Sequence, residues 1–280
     1  MTDDVEVVEA EEQQLTADTT VDEEELEQPP LTTLVLLRDQ IQKLRIAQGN
    51  RKSAAERNDD ETRMQLHDRY YVGLKTLEDS INKDIADEIE THPAWPWLQQ
   101  IRGVAASSAA SVVGLLDIHK APTPSSFIKF CGYGLTHSDC EKCAGSGYID
   151  GMGPCVDCGG DGTIAMRDRL QKGHKAPFNK KAKSMVWRLV DLQVKLRGPY
   201  RVTYDDAKHS YKTTRPDWTP GHIEAAARRK AAKLFLSHLW HVWAEAEGLE
   251  TVEPFVIARD AKRKHDLIDP YKHIGAKRPE

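Results

Sequence analysis

The chain has 280 residues, 39% of them hydrophobic and 30% charged, with a formal net charge of −5. That composition fits one large or two small domains with a packed core, and no run of about 18 apolar residues is present to make a membrane span. The net charge conceals an asymmetry: residues 1–30 hold twelve Asp or Glu and no Lys or Arg, which leaves 39 basic against 32 acidic residues beyond them.

Residues 1–30 lack aromatics and are expected to form a disordered acidic tail, closed by "QPP" at 28–30. The start of the chain has no basic-then-apolar order of a secretory signal. A cytoplasmic, reducing compartment is therefore expected. From Leu31 the pattern changes. Leu34, Leu37, Ile41, Leu44 and Ile46 recur at helical spacing and predict an amphipathic helix over 31–57. Leu66, Tyr70, Leu74, Leu77, Ile81, Ile85 and Ile89 predict a second helix over 60–90, and the two are expected to pair as a hairpin across 31–93. Pro93 and Pro96 in "THPAWPW" end it. Residues 94–139 follow as short helix, glycine turn, small-residue helix, Pro-rich turn and short helix.

Residues 140–163, "CEKCAGSGYIDGMGPCVDCGGDGT", hold four of the five cysteines. Cys140 and Cys143 form one C-x2-C pair and Cys155 and Cys158 another, with eleven residues between the pairs. Two thiolate pairs on tight turns can complete a tetrahedral shell around one structural Zn²⁺. Gly145, Gly147, Gly160 and Gly162 free the backbone to wrap the metal and to aim amides at the sulfurs. Disulfides or a redox pair are the other uses of such spacing. Each half, "CEKCAGSG" and "CVDCGGDG", resembles the CxxCxGxG repeat of DnaJ-type zinc centres. The resemblance covers about 23 residues and implies a metal rather than chaperone activity. Four thiolates leave no open position for a catalytic water. Cys131, outside the pattern, is expected to be a small core residue.

Residues 164–258 are expected to be a basic helical domain. A helix is predicted from 178 to 197, "RGPY" at 197–200 is a turn, and "TRPDWTPGH" is a loop leading into the strongest helix of the chain. There Ile223, Ala227, Ala231, Leu234, His238 and Val242 line one stripe, and Gly248 is a natural end. Residues 259–280 are expected to be a loose basic tail. The fold class is thus mainly α: a helical hairpin, a helix-hairpin-helix, a small glycine-rich zinc module and a long C-terminal helix.

Residues 160–235 carry 18 Lys or Arg against seven Asp or Glu. One basic group is Lys172, Lys175, Lys180, Lys181, Lys183 and Arg188; the other is Arg228, Arg229, Lys230 and Lys233. Facing one side, they could neutralise phosphates; alternately, members of each run point to water as on any exposed helix. The acidic tail could compete for such a face. Trp187, Trp218, Trp240, Trp243, Tyr200 and Tyr204 are candidates for stacking or, by their spacing, for core packing.

"LQQIRGVAASSAASVV" resembles a helix-hairpin-helix. In that module Gly103, Val104 and Ala105 would offer backbone amides at a helix N-terminus to a DNA phosphate; Ala105 stands where a second glycine is usual. Together with "IQKLRIAQGNR", "KGHKAPFNKKAKSMVWRLV" and "HIEAAARRKAAKLFLSHLWHVWAEAEGL", this stretch is similar to stand-alone transposase-like proteins of phages and mobile elements. Its nearest likeness, over about 95–195, is to the C-terminal domain of insertion-sequence transposases of the IS-one-ten group. That resemblance implies binding to nucleic acid, double-stranded DNA foremost, with a second copy or a partner protein possible. The family's RuvC-like nuclease domain, with its acidic metal ligands, has no counterpart here, so catalysis is not expected. Ser138 in "GLTHSDC" is the one candidate for the family's serine nucleophile; a turn residue leading into Cys140 is the plainer reading. A reduced serine-dependent recombinase and a zinc-stabilised protein-binding adaptor are the alternative functions.

Overall fold

The computed structural model describes residues 30–167, 170, 172–173, 175–253 and 268–278. The acidic tail expected at the N-terminus lies outside them, apart from Pro30. The chain divides into two compact units, Met1–Ile85 and Ala86–Glu280, and the described residues are mainly helical.

In the first unit, helix α1 (Pro30–Arg57) and helix α2 (Glu61–Ile89, which runs past the unit boundary) are joined by a tight turn. The Asp60 carboxylate accepts from the Arg63 amide at 3.0 Å and closes the start of α2. The expected hairpin forms, but only part of the expected stripe is buried. Ile81, Ile85 and Ile89 are buried as expected, whereas Leu37, Leu44, Ile46, Leu66, Tyr70 and Leu77 are exposed, and Val35, Asp39 and Ala55 are buried outside the stripe. The physical reason is a polar seam. Gln42 and Arg45 both donate to the buried carboxylate of Glu78, and Lys52 reaches Asp68 at 2.8 Å. Burial opposes the charge on Glu78, but the bonds from Arg45 and Gln42 more than offset it and hold its pKa below the usual value. Apolar periodicity alone could not see a seam built from charge.

The second unit is built around one helix. Four short segments come first in it: α3 (Trp95–Leu98), α4 (Ala106–Val113), α5 (Pro124–Phe130) and strand β1 (Leu135–Asp139). Strands β2 (Tyr148–Ile149), β3 (Gly153–Pro154) and β4 (Thr163–Arg167) follow, then α6 (Lys180–Lys195), α7 (Tyr200–Thr214), α8 (Pro220–Ala246) and α9 (Pro270–Ile274). The strands make two antiparallel pairs, β1 with β4 and β2 with β3. Helix α8 begins at Thr219, whose side chain accepts from the His222 amide, with Pro220 in the first turn. Fourteen of its 27 residues are buried, from Ile223 to Ala244, so it is covered on more than the single predicted stripe. The small Ala226, Ala227, Ala231 and Ala232 allow close approach, and α5, α6, α7 and α9 all pack on it. Trp97 stacks on Phe235 at 6.1 Å, Tyr200 meets Phe235 edge-on at 5.4 Å, and the Trp240 indole donates to the Ala121 carbonyl at 2.6 Å.

Two expectations fail in this unit. The first is one of omission: the turn at 197–200 and the loop into α8 form as expected, but the residues between them, given no element in the sequence, form helix α7, which buries Tyr200, Tyr204 and Ala207 against α8 at helical spacing. The chain end is not wholly loose. Asp269 caps α9 by accepting from the amides of Tyr271 and Lys272, both at 2.9 Å, and Tyr271 is buried. His273 packs on Tyr200 at 4.8 Å.

Candidate metal centre and the basic cavity beside it

The cysteine segment folds as two copies of one knuckle related by a local dyad, fifteen residues apart. The Cys140 amide donates to the Gly162 carbonyl at 2.8 Å, and the Cys155 amide donates to the Gly147 carbonyl at 2.8 Å. The Gly147 amide points at Cys143 Sγ and the Gly162 amide at Cys158 Sγ, each at 3.3 Å. Lys142 and Asp157, equivalent positions in the two knuckles, form an ion pair at 3.0 Å. Ile149 and Ile164, again equivalent, pack against the sulfurs. The two glycines are demanded by contact as well as by conformation. Both have positive φ, and a Cβ on Gly147 would lie 2.3 Å from the Gly160 carbonyl oxygen, as one on Gly162 would from that of Gly145.

The four Sγ atoms all lie within 4.8 Å of one another, and the group could hold one metal ion. Cys140 to Cys155 is 3.8 Å and Cys143 to Cys158 is 3.7 Å. A regular tetrahedron of sulfurs about 2.3 Å from a zinc ion has edges of about 3.8 Å, so the donor set fits that ion. All five cysteines are free thiols. Without a metal, burial opposes charge on Cys143, yet the Gly147 amide and the adjacent thiols pull its pKa down to about 7. Cys140 is held up at about 11: the Cys143 amide favours its thiolate, but burial and thiol hydrogen bonds outweigh that help. Cys131 lies apart, fully buried, with its thiol pushed up to about 12 by burial. It is a core residue, as its flanking sequence suggested.

The β1–β4 pair is the stalk of the metal module, with Leu135 opposite Arg167 at its base. There it opens on a cavity of about 510 Å³. Arg167 comes from the stalk, Lys183 and Trp187 from α6, and Arg229, Lys230 and Lys233 from α8; Tyr133, Tyr211 and Trp218 complete the aromatic wall. Among the described residues, the lining contains no Asp or Glu. Asn179 fixes the start of α6: its side chain accepts from the amides of Lys181 and Ala182, and its own amide donates to the Phe130 carbonyl at 2.9 Å. Spacing by three, four and seven residues puts Ala226, Arg229, Lys230 and Lys233 on one face of α8. Ala226 leaves the room and the other three supply charge.

The predicted phosphate-binding residues separate into groups. Lys183, Arg229 and Lys233 converge on the cavity. Arg228 turns away from it and pairs with Asp191 and Glu224, each at 3.1 Å. Lys172, Lys175, Lys180, Lys181 and Arg188 are not part of the lining; Lys172, Lys175, Lys180 and Arg188 are exposed and Lys181 is half-buried. Gly103 has the positive φ expected of the turn, but α3 is a single turn long, and a Cβ on Gly103 would lie 2.6 Å from Leu196 Cδ1. The Arg102 carbonyl accepts from Gln193 at 2.9 Å, so α6 lies beside this turn. Ala105 begins α4, its amide donating to Ser108 Oγ at 3.0 Å, and Val104 is buried. Ser138 is a strand residue opposite Ile164, not a turn residue. Of the aromatics, Trp240, Trp243, Tyr200 and Tyr204 are core, while Trp187 and Trp218 face the cavity. Arg167, Tyr133 and Tyr211 were not legible as site residues, because only the strand pairing and α7 bring them there.

No protein-family model matches this chain, and no curated protein matches it.

Proposed function

We propose that this chain is a zinc-stabilised nucleic-acid-binding protein that contacts phosphates through the basic surface of α6, α8 and the metal-module stalk. The observation that carries this reading is the convergence of Arg167, Lys183, Arg229, Lys230 and Lys233, from three separate elements, on one opening whose described lining residues include no carboxylate. Gathering like charges costs free energy unless a polyanion compensates them. Zinc holds the stalk that delivers Arg167, so the metal serves binding through structure. The resemblance of residues 95–135 to a transposase C-terminal domain agrees with a role on mobile-element or phage DNA, and no nuclease chemistry is assigned to it.

The test combines metal analysis with a gel shift. The purified chain contains one zinc per molecule and retards a DNA duplex at low salt, less so at higher salt. Arg229→Glu weakens that binding and lowers the salt slope by about one, and Lys180→Glu measures the contribution of the exposed α6 start. Folded protein without metal, or a retardation indifferent to salt, overturns the proposal.

A further inference from the structure

Phosphate contact by itself does not call for a concave, aromatic site. Three observations about the cavity go further. First, three of its cations, Arg229, Lys230 and Lys233, have no carboxylate beside them among the described lining residues. Arg229 Nη2 is buried without a hydrogen-bond partner. The adjacent Arg228 differs in charge pairing: its Nε also lacks a hydrogen-bond partner, but its guanidinium is paired with Asp191 of α6 and Glu224 of α8. Burial first, and the charge of Arg167 second, pull the pKa values of Arg229 and Lys233 below their usual range. An arriving anion relieves both penalties. Second, the walls are aromatic and braced. Trp218 stacks on His222 at 4.1 Å and 7°, and the Arg228 guanidinium lies 5.4 Å from the Trp187 ring. Third, about 510 Å³ lies in the size range of pockets that enclose a small organic ligand. A pocket of that kind has room for a single unpaired nucleotide, a deeper contact than the phosphates of a duplex make at its rim.

We infer that the cavity is a nucleoside-phosphate site, in which Arg229, Lys233 and Arg167 hold the phosphate and the indoles of Trp218 and Trp187 receive the base. This rests on and deepens the reading as a nucleic-acid-binding protein: it names an unpaired nucleotide as the part that is gripped. The combination of a cationic floor and base-stacking walls is what single-strand binders use. The same chemistry could come from a strand or from a free nucleotide, and the experiment separates them.

Isothermal titration of the full-length, zinc-loaded chain uses inorganic phosphate, adenosine, adenosine 5′-monophosphate, a short 5′-phosphorylated single strand and its duplex. The monophosphate binds at least tenfold more tightly than either phosphate or adenosine, and the single strand more tightly than the duplex. Arg229→Gln and Trp218→Leu each reduce monophosphate affinity at least tenfold, with zinc content and helix signal retained. Lys230→Gln, at an exposed position, gives a smaller loss in the same direction and keeps the test valid where Arg229→Gln does not fold. Monophosphate binding no tighter than inorganic phosphate, or unaffected by these variants, overturns the site. Duplex binding that is salt-sensitive yet indifferent to Arg229→Gln and Trp218→Leu leaves the nucleic-acid reading standing and removes the cavity from it. Tight monophosphate binding with no affinity for any strand keeps the site and overturns the nucleic-acid reading.

Discussion

At the scale of single residues, Gly147 and Gly162 separate space from conformation. Gly151 also has positive φ, but nothing lies within 4 Å of a Cβ placed on it. Gly151→Ala therefore carries backbone strain alone, about 1–2 kcal/mol, and retains the metal. Gly147→Ala drives a methyl group into the Gly160 carbonyl, so the purified variant holds far less metal than Gly151→Ala; metal content equal to that of Gly151→Ala contradicts this. Two histidines, His238 buried and His92 half-buried, set the acid limit of the fold. Burial lowers His92 to about 4 and His238, next to His273, to about 3. The Ala94 amide donates to His92 Nδ1 at 3.1 Å, which requires a neutral ring nitrogen there. Because an unfolded histidine titrates near 6.5, the unfolded chain takes up these protons first. Stability is complete above about pH 6.5 and falls as the pH drops from there toward 4. Each residue contributes a slope of up to about 1.4 kcal/mol per pH unit. Urea midpoints at pH 7 and pH 5 measure it; His92→Gln gives a shallower fall, and an unchanged one contradicts the assignment.

At the scale of elements, α8 is the beam on which the second unit rests. Its ends were legible because they use local chemistry: Thr219 and Pro220 open it, and Gly248, in the left-handed conformation, follows its last turn. The helices at 30–57, 61–89 and 180–195 were legible for similar reasons, since proline and apolar spacing bound them. Helix α7 was hidden by its composition. Its buried residues are tyrosines and one alanine, and their apolar spacing is diluted by lysine, aspartate and threonine. The seam between α1 and α2 was hidden too, because Gln42, Arg45 and Glu78 are read as surface residues in any hydrophobic pattern. Trp240 joins α8 to the loop before α5. Trp240→Ala removes a buried indole and leaves the Ala121 carbonyl without its donor. The expected cost is about 3–5 kcal/mol, read as a lower urea midpoint; a loss under 1 kcal/mol means that α8 is not held by this contact.

At the scale of the whole molecule, the sequence exposed the metal site far better than the cavity. Four cysteines in two C-x2-C pairs point to a metal by their spacing, and the fold brings all four sulfurs within 4.8 Å of one another. The cavity instead depends on long-range assembly: Leu135 must meet Arg167 across the stalk before Arg167 can face Arg229. Metal removal tests this link. Chelation unravels the glycine-rich knuckles, which have little apolar area of their own, while the helices around α8 persist. Circular dichroism then keeps most of its helical signal as the proposed nucleic-acid affinity falls at least tenfold. Undiminished affinity in the chelated protein shows that the stalk does not serve the cavity. The local dyad has a consequence for dividing the metal module. Since Cys140 leans on Gly162 and Cys155 on Gly147, each knuckle supplies the other's missing bonds, and neither is a structure alone. A peptide carrying either knuckle alone would therefore hold two of the four sulfurs and lack the backbone bond that the other knuckle gives it.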